Sequence, residues 1–203
     1  KLTFKSDIDI SVEFHKINLK EATLFRKRIG GKVNDKVDLQ VYNILPDKIK
    51  KEIDKKGRIL WEKWMKMRIK EKIKEIEQYL EELESIMPED FKEYLEDYKS
   101  KAACERYFEK IIEAVIDLSF LIIKEKGLKI PEDDKKSFEI LNEENIIPKK
   151  LTNKLKDAKG MRNIIAHDYG SVDDEIVFES ITSELIKDVK EFLEEVNKIK
   201  CAE

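Results

Sequence analysis

Apolar and polar residues change their period about a third of the way along this chain. Ile8, Ile10 and Val12 alternate with Asp7, Asp9, Ser11 and Glu13, a two-residue period that predicts a strand. A second alternating stretch, carried by Val37, Leu39 and Val41, runs over 33–42. Between them 19–29 reads as a helix; after them, 46–56 reads as a short helix and 58–61 as an extended end. From about Lys63 the period becomes helical. Trp64, Met67, Ile73, Ile76, Leu80 and Leu83 mark a long amphipathic helix. Residues 100–126 form a second, whose dense apolar block from Phe108 to Ile123 predicts a central place in a bundle. A short helix follows at 137–142, then a third long one at 149–167. Phe178, Ile181, Leu185, Val189, Phe192, Val196 and Ile199 set the stripe of the last. Pro46, Pro88, Pro131 and Pro148 each precede a charged helical stretch, and Gly127 and Gly170 read as helix stops. The expected fold is α+β: a small α/β segment over 1–62, then an all-α four-helix bundle over 63–203.

Composition narrows this little. The 203 residues fit one or two domains, and 41% apolar residues suffice for a core. Charged residues at 42%, mostly Lys and Glu, suit long solvated helices and a thermophilic source. The net charge of -3 gives no global attraction to nucleic acid, so any RNA contact needs a local patch. Cys104 and Cys201 are too few for a disulfide framework. With no signal peptide and no apolar run of about 18 residues, a cytoplasmic protein without a membrane span is expected. Lys1 stands where an initiator Met would be.

The candidate chemistry lies in "GMRNIIAHDY". Arg162 and His167 are five positions apart, with Asn163 and Tyr169 close by. A guanidinium holds phosphate bidentately, and an imidazole moves a proton near neutral pH. Together they suit RNA cleavage without metal, in which His167 acts as base or acid and Arg162 clamps the phosphate. Asn163, four residues before His167 on the same helix face, orients the imidazole or binds the ribose. On spacing alone, a histidine near a helix end is more often structural. The preceding run contains Lys149, Lys150, Lys154, Lys156 and Lys159 with Asp157 as its one acid, and Lys154, Lys156 and Lys159 are candidate phosphate contacts. Such runs are usually solvated faces, but this one leads into the motif.

Arg162, four residues, His167, any residue, Tyr169 resembles the motif of the HEPN family in its HepT-like toxin branch. The resemblance extends through "CERYFEKIIEAVIDLSFLIIKEKGLKIP" and "FEILNEENIIPKKLTNKLKDAKGMRNIIAHDYGSVDDEIVFESI", roughly the last two thirds of the chain. It implies a HEPN four-helix bundle with metal-independent endoribonuclease activity on RNA, and a homodimer whose paired motifs line one cleft. Gly160 would let the helices approach there. The resemblance also makes Tyr169 the residue to which a partner nucleotidyltransferase antitoxin attaches AMP, silencing the nuclease.

"SDIDISVEF" and "KVDLQVYN" put Asp7 and Asp9 on one strand face and Asp38 on a neighbouring strand. Three converging carboxylates bind Mg2+ and a nucleoside triphosphate. The pattern, with "LPDKIKKEIDKKGRILWE", resembles minimal nucleotidyltransferases. The triphosphate-gripping Gly-Ser of that family is missing, since only six residues precede Asp7. Mg2+ and ATP are therefore expected only where that part is complete. The reading is a ribonuclease toxin fused to a partial antitoxin-like segment. Its rivals are a nucleotidyltransferase whose helical domain binds substrate, and a non-catalytic dimerisation module.

Overall fold

The computed structural model describes residues 8–14, 16–30, 32–33, 37–167 and 173–200, with side chains to Lys198. Asp7, Tyr169 and Gly170 lie outside these residues. The chain divides into two compact units, Lys1–Ile59 and Leu60–Glu203.

In the first unit, β1 (Ile8–Val12) and β2 (Val37–Val41) pair in parallel. Helix α1 (Leu19–Gly30) is the crossover that a parallel pair requires. The second strand is shorter than the 33–42 stretch that alternation suggested. The register sets Asp9 beside Asp38 and Ser11 beside Gln40. Because side chains alternate between faces, one face carries Asp9, Ser11, Asp38 and Gln40. The other carries Ile10, Val12, Leu39 and Val41, with Val41 fully buried. Asn43 extends the pairing, accepting from the Phe14 amide at 2.8 Å and donating to its carbonyl at 2.7 Å. Helix α2 (Asp47–Lys56) starts at Pro46, whose missing N–H costs nothing there.

The second unit is helical. Helix α3 (Leu60–Ile86) opens it, so the extended end expected over 58–61 is confined to residues before Leu60. Its buried stripe is Met65, Ile69, Ile73, Ile76, Leu80 and Leu83. Trp64 and Met67, expected on that stripe, stand exposed at 40% and 48%. Trp64 stacks instead with Trp61 at 5.3 Å and carries the Arg68 guanidinium over its ring. Helical period alone does not fix phase near a helix end, where large side chains also cover their own helix. Helix α4 (Phe91–Glu96) was not anticipated. Its six residues are too few to display a period, and Asp90 caps it by accepting from the Glu93 amide.

Helix α5 (Tyr98–Glu125) packs against α3, α4, α6 (Asp134–Glu143) and α7 (Lys149–His167), the central place its apolar block predicts. It ends at Gly127, whose φ of 65° lets the Leu128 amide reach back to the Ile123 carbonyl at 2.9 Å. Asn145, φ 57°, repeats the device after α6, with the Ile146 amide on the Leu141 carbonyl at 2.8 Å. Helix α6 is longer than the 137–142 read from apolar spacing, because Asp133 caps its polar first turn. The last helix runs as α8 (Asp174–Glu179), a π-helical segment Ser180–Leu185, and α9 (Ile186–Lys200). Val177, Ile181, Leu185 and Val189 are all buried at four-residue steps. A regular α-helix would rotate such a series off one face. The wider π turn, bonded i to i+5, keeps it aligned on the core.

Candidate active site

The motif occupies the last turns of α7, which spans Lys149–His167. Pro148 starts the helix, its carbonyl accepting from the Thr152 amide at 3.0 Å. Leu151, Thr152, Leu155 and Ile165 turn inward and fix its rotation. Arg162 and Asn163 are then half-buried, and His167 is exposed at the helix end.

Arg162 is held from two sides. Its Nη1 donates to Asn163 Oδ1 at 3.3 Å, and its Nη2 donates to Glu113 Oε1 on α5. Its Nε is buried and finds no hydrogen-bond partner among the described residues. A guanidinium offers five N–H groups in a rigid fork. Two of its nitrogens are braced here, and the third is left with an unanswered donor. Five residues of helix separate Arg162 from His167, about 7.5 Å along the axis. Asn163 lies four residues before His167, so the contact with Arg162 joins the guanidinium to the histidine's face of the helix.

Glu113 was not among the residues singled out by sequence. It lies 49 positions before Arg162, inside the apolar block of α5. The one signal in the sequence is a carboxylate interrupting that block, and many surface-facing residues give the same signal.

The basic run is differently placed from its sequence appearance. Lys154 donates to Asp188 of α9, Lys156 to Glu139 of α6 at 2.5 Å, and Lys159 lies 3.7 Å from Asp134. Asp157 is therefore not the only acid these lysines face. Three acids distant in sequence answer them, and the lysines fasten α7 to its neighbours. The bonds from Lys156 and Lys136 hold the Glu139 carboxyl down to about 2. The Asp188 carboxylate raises the Lys154 ammonium above its ordinary value. A cavity of about 180 Å3 lies beside this stretch, between Leu155, Met161, Ser180 and Asp188. Arg162 and His167 do not line it.

In the first unit Asp9 and Asp38 stand on adjacent strands in register. Asp38 accepts from Gln40 Nε2 at 2.7 Å and lies 4.0 Å from the Arg26 guanidinium. Ser11 Oγ on the same face is buried and finds no hydrogen-bond partner among the described residues. No group of three metal-ligating side chains forms among the described residues, a set that leaves out Asp7. No described helix is long and apolar enough to cross a membrane.

Known proteins resemble the helical unit. A protein of Archaeoglobus fulgidus, provisionally named as an RNase, is 35% identical over 108 residues, 52% of this chain and 80% of its own length. The mRNA nuclease HepT of Shewanella oneidensis is 29% identical over 105 residues, 52% of this chain and 78% of its own. Among solved structures, the tri-AMPylated HEPN toxin of Shewanella oneidensis, in complex with an MNT antitoxin, aligns at a TM-score of 0.60 and 25% identity. That alignment covers 64% of this chain and 96% of the toxin. The cytosolic protein YutE of Bacillus subtilis shares the fold at a TM-score of 0.56 and 16% identity, over 66% of this chain and 89% of its own. The sequence profile of the family described as Ribonuclease HepT-like matches residues 76–196. With that match across more than half of its length, the chain belongs to the HepT-like ribonuclease family of HEPN proteins.

Proposed function

We propose that the helical unit is a metal-independent endoribonuclease toxin, with Arg162, His167 and Asn163 as its catalytic set. One observation carries the reading: in a chain of this family, Arg162 is braced by Asn163 and Glu113 five residues before the exposed His167. The guanidinium supplies the cation that the developing phosphorane charge needs. The imidazole supplies proton transfer near neutral pH. Neither role calls for a metal. Lys154, Lys156 and Lys159 come second as phosphate contacts, because RNA there must compete with Asp188, Glu139 and Asp134. The test incubates the protein with RNA in EDTA. Cleavage is expected to persist, and to vanish in Arg162→Ala and His167→Ala. A strict Mg2+ requirement would redirect attention to the carboxylates of the first unit.

The first unit, read as the domain 1–62, is proposed to be part of a minimal nucleotidyltransferase joined to the HEPN domain 63–203. Its support is the parallel pair that sets Asp9 beside Asp38, with Asp7 two residues before Asp9 on the same strand pattern. Those carboxylates would hold Mg2+ and ATP where the triphosphate grip is present. A separate nucleotidyltransferase antitoxin is the proposed partner, as in the Shewanella complex. A homodimer that brings two motifs to one cleft is proposed from the resemblance and from the single motif histidine per chain.

A further inference from the structure

The first half of helix α3 differs in charge from the chain around it. Residues 60–74 carry six Lys or Arg against two Glu, in a protein whose net charge is -3. The same stretch holds both tryptophans of the sequence. Trp61 and Trp64 share a helix face, being three residues apart. They stand 52% and 40% exposed, with ring centroids 5.3 Å apart. The cations beside them are held by these rings: the Arg68 guanidinium lies 5.0 Å over Trp64, and the Lys124 ammonium, at the end of α5, lies 4.8 Å over Trp61. Arg68 and Lys124 also line a cavity of about 530 Å3, together with Lys72, Phe120 and Leu121. Asp117 is the one acid in its wall among the described residues, and Lys72 answers it at 3.2 Å.

We propose that this surface, between the start of α3 and the end of α5, is a platform for single-stranded RNA. Bases stack on the two indoles, and phosphates pair with Arg68 and Lys124. Exposed rings interleaved with cations hold a single strand without reading its sequence, because every base offers a stacking face. A base on an indole contributes more than an exposed cation over the same ring, and the displaced cation stays within reach of the phosphate. The lysines of α7 are tied to Asp188, Glu139 and Asp134, whereas Arg68 and Lys124 have only rings to leave. The centres of protein interfaces are depleted in lysine, and this stretch is rich in it. The outward face of α5 joins the platform to the motif. Glu113, Asp117, Phe120 and Lys124 recur on it at helical spacing, while Ile116, Leu118, Ile122 and Ile123 between them are buried. That stripe is about 16 Å long, and Glu113 at its far end is the carboxylate that holds Arg162. As a grip on substrate the platform rests on the ribonuclease reading of Arg162 and His167; as a binding surface it stands without it. Chemistry stays in the two-motif cleft of the proposed dimer.

The experiment titrates a short, fluorescently labelled single-stranded RNA with the full chain carrying His167→Ala, which keeps the RNA whole. Anisotropy should rise and tryptophan emission should fall together. In that background Trp61→Ala and Trp64→Ala should each raise Kd by about 5–100-fold, the worth of one stacked base. Trp64→Phe keeps a ring and should recover most of the affinity. Arg68→Gln and Lys124→Gln should each flatten the dependence of log Kd on log salt by about 0.7. Duplex RNA of the same length hides its base faces and should bind more weakly. Circular dichroism melts identify any variant that fails to fold, and the salt slopes of Arg68→Gln and Lys124→Gln then decide by themselves. An unchanged Kd when both tryptophans are replaced, or a duplex bound as tightly as the single strand, would overturn the platform. So would variants that bind RNA normally but lose a second copy in light scattering or a separate nucleotidyltransferase in a pull-down, which would make the surface a protein interface. Cleavage with His167 intact separates the two readings. If the wild type leaves RNA whole while the tryptophan variants lose binding, the ribonuclease reading fails and the platform stands. An active wild type beside tryptophan variants of unaltered Kd condemns the platform alone.

Discussion

Arg162 shows how one residue joins packing to chemistry. Its contacts with Asn163 and Glu113 hold the guanidinium plane, and its Nε is buried with no hydrogen-bond partner among the described residues. Lysine carries the same charge on a flexible stem without the fork. Arg162→Lys is therefore expected to keep the fold and lose about 10–100-fold in kcat/KM, the cost of one charge-assisted hydrogen bond. Steady-state kinetics on a short RNA reads this, and an unchanged kcat/KM would mean that a point charge is enough. Tyr169 belongs at the same scale. It follows His167 by two residues, and the family resemblance makes it the proposed site of AMP attachment. With a competent nucleotidyltransferase, ATP and Mg2+, mass spectrometry should find AMP on Tyr169. AMP on another residue alone would remove Tyr169 from the scheme.

Helix α7 is fastened by ion pairs that its own sequence does not contain. Lys156 with Glu139 and Lys154 with Asp188 tie it to α6 and α9. Glu139 tests the first tie. Its folded pKa is depressed to about 2 by Lys156 and Lys136, so the stabilisation is present above the unfolded value near 4.3 and is lost as pH falls towards 2. Partly exposed pairs contribute up to about 1 kcal/mol, or roughly 2–4 °C in a chain of this size. Glu139→Gln should melt lower than wild type by about that much at pH 7, and the gap should close as both are acidified from about pH 4 to 2. A gap that is constant across this range would assign the effect to packing. The π segment is a second element-scale feature. It absorbs the four-residue steps from Val177 to Val189 and lets one long helix stay buried along its length.

At the scale of the molecule, Gly160 separates the protomer from its proposed dimer. A Cβ built there meets nothing within 4 Å, so no described part of this chain uses the gap. Glycine inside a helix costs about 1 kcal/mol against alanine. Gly160→Ala should therefore raise the melting temperature by about 2–4 °C. If the gap receives a second copy, Gly160→Phe should shift the protein from dimer to monomer in light scattering at micromolar concentration. A Gly160→Phe protein that remains a dimer would place the interface elsewhere. The two compact units, with the change of period near residue 60, are what a fusion of two modules would produce.

The sequence by itself determined the switch from strand to helix period, the bounds of α7, the central place of α5 and the family motif. These rest on local rules: period, caps and the glycine at 127 act over a few residues. It also placed Asp9 and Asp38 on neighbouring strands, because alternation in a parallel pair leaves little freedom of register. Helix α4 and the phase of α3 near Trp64 were not legible, one being too short for a period and the other having two apolar faces in competition. Only the tertiary structure brought Glu113 to Arg162 across 49 positions, and Asp134, Glu139 and Asp188 to the lysines of α7. A charge at a distance in sequence acts through Coulomb attraction and hydrogen bonding, which depend on separation in space. That separation is set by how the apolar stripes of α5, α6, α7 and α9 pack, and no local pattern in the chain records it.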